Sequence, residues 1–329
     1  MTATAARARA GAGTLAYPLR LYRRFRTPVA AADFERPPDH GLRPESFEVE
    51  TSDRVAIRGW AFTPAAPWGV VILTHARSAS KSRVLRQARL LYGHGLAVVT
   101  FDFRGCGESG ASHRPGGNSL RAPLRDLEAV ARYTRRRYGD DPLLASRTAL
   151  MGCSFGGNMA IAHAGTAGRH YPAVILDSTP LVRWQDMLRE LLRTERRASR
   201  SPRLRAAVDR AVIRAVVLRT GAEALYRQAV RSARGLRHTK LMYIVGERDT
   251  FFDVDEGCRF LDLYYAGPRE IWRVRRGRHL TNHLVDEGAY GERVVAFLRS
   301  AFPEAEPSES RATTTSQEPS CQPPSPPAT

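Results

Sequence analysis

The 329-residue sequence predicts an α/β fold, with a mainly parallel central sheet flanked by helices and an all-helical insertion late in the chain. Two observations lead there. Six short apolar runs rich in β-branched residues recur, at 70–74, 97–101, 148–151, 173–176, 241–245 and 271–274, each with the length of a strand buried on both faces. The segments between them carry apolar residues at helical spacing, and repeated strand–helix alternation marks parallel strands joined by crossover helices.

In chain order, residues 1–40 form a basic leader expected to be partly disordered. Arg7, Arg9, Arg20, Arg23, Arg24 and Arg26 all precede the first acidic residue, Asp33. Leu15, Leu19, Tyr22 and Phe25 fit one helical face. That face fits a weak membrane-surface contact or an organelle transit peptide, and a loosely packed leader is the plainer alternative. The core's first part, 41–180, opens with an antiparallel pair, 47–50 and 55–62, turning at Ser52-Asp53. Leu85, Leu90 and Leu91 mark one helix, and Leu124, Leu127, Val130 and Tyr133 mark another. Residues 181–239 give no strand signal, only two amphipathic stripes: Trp184, Leu188, Leu191 and Leu192, then Leu204, Val208, Val212 and Ala215. This segment is expected to be a helical lid, against the alternative of extra helices packed on the domain's flank. The core resumes over 240–302 and closes with a helix marked by Tyr290, Val294, Phe297 and Leu298. Residues 303–329, rich in Pro, Ser, Thr and Glu, are expected to be a disordered tail.

Apolar residues make up 43% of the chain, enough for a sizeable core. The formal net charge of +18 points first to nucleic acid, an anionic membrane or acidic substrates. Lysine, however, occurs only at 81 and 240, so nearly every positive charge is an arginine, and most of the charge reads as solvated surface. The sequence has no basic run interleaved with aromatics, no zinc-finger spacing and no helix-turn-helix signature, which argues against a nucleic-acid partner. No stretch reaches the roughly 18 apolar residues that cross a bilayer, and the leader lacks a signal-peptide core. Cys106, Cys153, Cys258 and Cys321 lie far apart, without metal-site or disulfide-framework spacing, and read as reduced thiols of a cytoplasmic protein.

The chemistry concentrates in loops that leave strands at their carboxyl ends, where open α/β sheets bind ligands. Gly152-Cys153-Ser154-Phe155-Gly156-Gly157 follows the 148–151 strand and precedes a helical pattern, matching the G-x-S-x-G nucleophile elbow. A serine hydroxyl is a weak nucleophile at neutral pH and needs a base within hydrogen-bond reach, itself oriented by an acid. After an elbow the partners follow in the order acid, then histidine. Asp249 lies one turn beyond the 241–245 strand, and His279 one loop beyond 271–274. His283 is the rival base. Asp253, Asp255 and Glu247 are rival acids, as is Asp177 in Asp177-Ser178-Thr179-Pro180, which otherwise reads as a hydrogen-bonded hinge. The backbone N–H of Phe155, opening the helix, and of Arg77, in the loop after 70–74, are the expected oxyanion donors. His75 in that loop reads as structural. The Gly-rich loop Asp102 to Gly110 lacks a phosphate-loop pattern and reads as a brace for the site.

From Phe47 to Phe302 the chain resembles the α/β-hydrolase superfamily, in its esterase and serine-aminopeptidase-like branch with a helical lid. The matching pieces are the His75 loop, Asp102-x-Arg104-Gly105-x-Gly107-x-Ser109, Gly152-x-Ser154-x-Gly156, Gly246-x-x-Asp249 and Gly277-x-His279. The resemblance implies the α/β-hydrolase fold and acyl hydrolysis through a covalent acyl-enzyme, without metal or cofactor. Glycine usually follows the loop histidine in this family, and here Ala76 stands there, which would be strained if the position needs a positive φ. The expectation is therefore a serine hydrolase cleaving carboxylic esters of a small-molecule acyl substrate, with Ser154, Asp249 and His279 as its catalytic residues. The alternatives are a thioesterase, acyltransferase or peptidase with the same residues, or an inactive α/β-hydrolase used for binding. No motif assigns an oligomeric state.

Overall fold

A computed structural model of the chain describes residues 35–112, 119–166, 170–194 and 202–304. The leader up to residue 34, the tail from residue 305 and Cys321 lie outside the described residues. The expectations of a membrane-surface arm or transit peptide and of a disordered tail fall on them.

Eight strands form one sheet: β1 (Glu45–Glu50), β2 (Ala56–Phe62), β3 (Val70–Thr74), β4 (Ala97–Phe101), β5 (Thr148–Cys153), β6 (Ala173–Asp177), β7 (Lys240–Gly246) and β8 (Arg269–Val274). Their spatial order is β1-β2-β4-β3-β5-β6-β7-β8. β1 and β2 pair antiparallel, as does β2 with β4, and every later pairing is parallel. The six apolar runs are the six parallel strands, lengthened by a residue or two at the ends of β5 to β8. Nine helices lie in the described residues: α1 (Leu85–Gly93), α2 (Pro123–Tyr138), α3 (Pro142–Ser146), α4 (Phe155–Ala164), α5 (Trp184–Thr194), α6 (Pro202–Thr220), α7 (Ala222–Gly235), α8 (Val254–Tyr264) and α9 (Glu287–Ala301).

Side chains along a strand alternate between sheet faces, and here each face has its own core. Val70 and Ile72 of β3 join Leu127 and Val130 of α2, Met159 and Ile161 of α4 and Leu261 of α8. Val71 and Leu73 join Leu85 and Leu91 of α1 and Tyr290, Val294 and Leu298 of α9. Burial on both faces explains why these strands read as unbroken apolar runs. Among the described residues no helix is long and apolar enough to cross a membrane.

Among the described residues of 181–239 the regular elements are all helices, α5 to α7. Trp184, Leu188 and Leu192 of the first predicted stripe are buried. The second stripe is turned from its expected position: Ala215 is exposed and Val208 and Val212 are half-buried, while Asp209, Ile213, Val216 and Thr220 face inward. α6 is apolar on more than one side, so spacing alone did not fix its inner face. α7 lies along α4, with Ser232 Oγ donating to the Ala162 carbonyl at 2.9 Å, and so belongs with the packing of the core.

Candidate active site

The parallel register aligns the strand ends from which the site is built. Cys153 of β5 pairs with Asp177 of β6, Asp177 with Ile244 of β7, and Gly246 of β7 with Val274 of β8. Ser154 follows β5 at once, with φ 51° and ψ −114°. A non-glycine residue holds such angles only where its surroundings over-determine them, at a cost of roughly 1–3 kcal/mol. Its N–H donates to the Asp177 carbonyl at 2.8 Å, and its carbonyl accepts the Gly157 N–H at 3.0 Å. Gly156 lets the loop after β3 pass close by: a Cβ there would stand 2.6 Å from the His75 carbonyl oxygen and 2.7 Å from that of Thr74.

Asp249 and His279 come from loops that grip one another. The Asp249 N–H closes a turn onto the Gly246 carbonyl at 3.1 Å, and Arg248 N–H donates to the Gly277 carbonyl at 2.9 Å. Arg276 (φ 72°) and Leu280 (φ 63°) kink the chain on either side of His279. These turns bring His279 Nε2 to 3.0 Å from Ser154 Oγ, and Asp249 Oδ2 to 2.8 Å from His279 Nδ1. A carboxylate only accepts, so Nδ1 carries the proton and Nε2 is left as the acceptor for the serine hydroxyl. The Asp249 side chain is fully buried and that of His279 is 19% exposed. Phe251 N–H donates to Asp249 Oδ1 at 2.8 Å, and the Phe251 ring stacks on the imidazole with centroids 4.4 Å apart. Phe252 meets the same ring edge-on. Sequence reasoning missed both aromatics, although Phe251-Phe252 follows the acid by two residues.

The rivals are engaged elsewhere. His283 is buried against Gln87, whose Nε2 lies 3.1 Å from His283 Nδ1. Asp253 caps α8 by accepting the N–H groups of Asp255 and Glu256, and Asp255 pairs with Arg273 at the surface. Glu247 is exposed. Asp177 is buried. Its Oδ1 accepts from Ser178 Oγ at 2.9 Å and Asn282 Nδ2 at 2.8 Å, and its Oδ2 accepts from Tyr290 at 2.7 Å.

The loop after β3 carries Arg77. His75 Nδ1 donates to the Ala76 carbonyl at 2.7 Å and Nε2 accepts the Phe103 N–H at 3.0 Å, a structural role that ties this loop to the one after β4. Among the described residues the non-glycine positions with positive φ are Arg54, Ser78, Ser154, Ser178, Arg276 and Leu280, so Ala76 is unstrained and the turn's left-handed residue is Ser78. Below lies a fully buried lysine, Lys81, whose Nζ donates to Asp102 at 2.6 Å and Glu108 at 2.7 Å and sits over the Trp60 ring. Beside it Arg104 donates to Asp126 and Asp53, and those bonds hold the Asp53 carboxyl well below the usual range. The Asp102 to Gly110 segment thus braces the site through two buried ion-pair networks. Cys106 and Cys153 are free and buried. Burial, helped by Asp102, pushes the Cys106 thiol up to about 12.

Phe155 is the first residue of α4, so its N–H has no helical carbonyl to bond and faces outward from the helix start. Arg77 and Ser78 separate two cavities. One is small and is lined by Phe103, Leu120, Pro123 and Phe155 together with His75 and Arg104. The other opens beside His279. Among the described residues no group of three or more His, Cys, Asp or Glu side chains is placed to hold a metal ion. Such an arrangement suits transfer of a proton from a hydroxyl to an imidazole next to a helix N-terminus that favours negative charge.

Comparisons with known proteins follow the same outline. A family model described as serine aminopeptidase, S33 (Hydrolase_4) matches residues 65–281. The esterase Pf2001 of Pyrococcus furiosus superimposes with a TM-score of 0.66 at 20% identity, over 84% of this chain and 98% of its own. The α/β hydrolase GrgF from a Penicillium species does so with a TM-score of 0.57 at 20% identity, over 79% and 99%. At these identities the likeness is one of fold, the α/β-hydrolase fold. An uncharacterized protein of Mycobacterium tuberculosis, Rv2307c, is 31% identical over 134 residues, which are 40% of this chain and 44% of that protein. The match thus spans less than half the length of this curated relative.

Proposed function

The chain belongs to the serine aminopeptidase S33 family of α/β hydrolases, and from that premise we propose that it hydrolyses carboxylic esters through an acyl-enzyme on Ser154. The hydrogen-bonded run Ser154 Oγ, His279 Nε2, His279 Nδ1, Asp249 Oδ2, at 3.0 Å and 2.8 Å, is the observation that carries this reading. As Oγ attacks the ester carbonyl, Nε2 takes its proton, and buried Asp249 stabilises the imidazolium and keeps its orientation. The N–H groups of Phe155 and Arg77 donate to the oxygen on which negative charge develops, and each such donor is worth about 10²- to 10³-fold in rate. Nε2–H then protonates the departing alcohol. Water repeats the sequence on the acyl-serine, releasing the acid and restoring the serine hydroxyl. α5 and α6 serve as cover over the site.

The alternative of an inactive binding protein is motivated by Ala76 and the basic helical segment, and gains only if His279 points away from Ser154. Ala76 has no positive φ and His279 Nε2 lies 3.0 Å from Ser154 Oγ, which supports the hydrolase reading. Thioester, amide and acyl-transfer chemistry use the same residues, and products from matched ester, thioester and amide substrates separate them. The direct test is labelling with a fluorophosphonate. Wild type is expected to be modified and Ser154→Ala to be inert; modification that persists in the variant removes Ser154 from the mechanism.

A further inference from the structure

Two hydrogen bonds leave the His279 imidazole incompletely held. Nδ1 is bonded to Asp249 Oδ2 at 2.8 Å and Nε2 to Ser154 Oγ at 3.0 Å. Ring nitrogens donate and accept in the plane of the imidazole, so both bonds lie near that plane. They fix the ring along the line from acid to serine but resist little a tilt about that line. The Phe251 ring opposes the tilt. It lies against the imidazole with centroids 4.4 Å apart and an angle of 24° between the planes. Phe252 meets the same imidazole at 6.0 Å and 80°, a flat face and an edge together forming a clamp.

The clamp matters most at one stage. In the ester-hydrolase reading above, on which this inference rests, Ser154 Oγ becomes the ester oxygen of the acyl-enzyme. Its proton has then left with the alcohol, and it can no longer donate to Nε2. Until water takes its place, Asp249 alone bonds the imidazole, and a single bond lets the ring swing away. We propose that Phe251 is a positioning residue for deacylation, its ring keeping Nε2 aimed at the acyl-serine while the serine cannot hold it. The covalent step itself is unchanged. Nε2 takes a proton from water, the hydroxide adds to the acyl carbonyl, the Ser154 Oγ–acyl bond breaks, and the proton passes to Oγ.

The Phe251 side chain can be altered without disturbing its neighbours. Its backbone N–H donates to Asp249 Oδ1 at 2.8 Å, a bond that any side chain at 251 leaves in place. Phe252 is 3% exposed and part of the core, whereas Phe251 is half-buried at the core's margin. Phe251 lines neither cavity beside Arg77-Ser78, so a ligand held in them does not touch it.

The test compares Phe251→Leu, which keeps apolar cover but loses the flat face, with Phe251→Tyr, which keeps both. 4-Nitrophenyl acetate has a readily departing alcohol, so kcat reads deacylation and kcat/KM reads acylation. In the leucine variant kcat is expected to fall about tenfold to hundredfold. Its kcat/KM and its rate of fluorophosphonate labelling, both set by acylation, stay within about threefold of wild type. KM falls with kcat, and a burst of about one 4-nitrophenolate per enzyme precedes steady turnover. The tyrosine variant turns over within about threefold of wild type. Phe251→Met, a second side chain without a flat face, takes the place of leucine if circular dichroism finds that variant unfolded. An unchanged kcat, or kcat, kcat/KM and labelling that fall together, reduces Phe251 to packing and overturns the inference with ester hydrolysis intact. A tyrosine variant as slow as the leucine one overturns it too. No turnover by wild type, with no labelling of Ser154, sinks the ester-hydrolase reading and this inference with it.

Discussion

Two neighbouring strands, β6 and β7, each deliver a buried aspartate side chain to the same edge of the sheet, and the two have different work. Asp177 ends β6 itself. Three side-chain donors from Ser178, Asn282 and Tyr290 saturate it. Asp249 stands three residues past the end of β7, on a turn closed onto Gly246, and that turn carries it across to His279. Yet Asp177 is not remote from the chemistry. Its carbonyl accepts the Ser154 N–H, and Ser178 Oγ accepts the N–H of Leu280, the residue after His279. The Asp249 carboxylate orients the imidazole by touching it, whereas Asp177 holds the serine loop through its backbone carbonyl and, through its carboxylate, fixes the Ser178 hydroxyl that accepts from the histidine loop. A carboxylate at a strand end is thus not enough to identify the acid; the turn behind it decides which way it reaches.

The largest effect should separate the two. Asp249→Asn places an amide N–H₂ or a weaker acceptor against Nδ1 and disfavours the tautomer that accepts from Ser154, so kcat is expected to fall by about 10³- to 10⁴-fold with the fold intact. Asp177→Asn leaves one oxygen and an N–H₂ facing three donors. The expected loss is about 1–3 kcal/mol of stability, seen as a lower Tm, with kcat reduced less than about tenfold at temperatures where the variant is folded. Steady-state kinetics beside thermal unfolding of both variants make the comparison. If Asp177→Asn lost activity only because it was unfolded, its circular dichroism would show that. If the folded variant lost activity as deeply as Asp249→Asn, the division of roles would be wrong.

The same pair explains what the sequence disclosed and what it withheld. The parallel strands were legible because burial on both faces turns them into apolar runs, and the loops holding Ser154, Asp249 and His279 were legible because each follows such a run. Asp177 could be assigned only when its partners were known. Asn282 and Tyr290 lie more than a hundred residues away in sequence, and no local pattern joins them to it. The ion pairs of Lys81 and Arg104 were hidden for the same reason: nothing local in the sequence shows that the two cations are buried against Asp102 and Asp126. The inner face of α6 was misjudged where alanine and valine offered several equally apolar sides. Phe251 and Phe252 belong to a loop, where periodicity carries no information about what a ring will cover.

The smallest effect distinguishes the two histidines of one loop. Burial pushes the His283 imidazole below its ordinary value, with Arg86 acting in the same sense and Asp177, Glu287 and Glu35 opposing. The folded chain therefore keeps His283 neutral at a pH where the unfolded chain protonates it. With more protons bound in the unfolded state, stability rises with pH through that window. Acidification below the free imidazole value of about 6.5 should then cost stability, at a slope no steeper than about 1.4 kcal/mol per pH unit for one proton. Urea midpoints between about pH 5 and about pH 8 measure it, and His283→Gln, which cannot take the proton, is expected to flatten that part of the curve. Asp53 cannot be mistaken for the source. Arg104 holds its carboxyl well below the usual range, so its contribution is lost only as the pH falls through the carboxylate region and beyond. An unchanged slope in His283→Gln would mean that the folded chain lets water reach this ring. The contrast between a buried histidine packed on Gln87 and a partly exposed one facing Ser154 would then no longer hold.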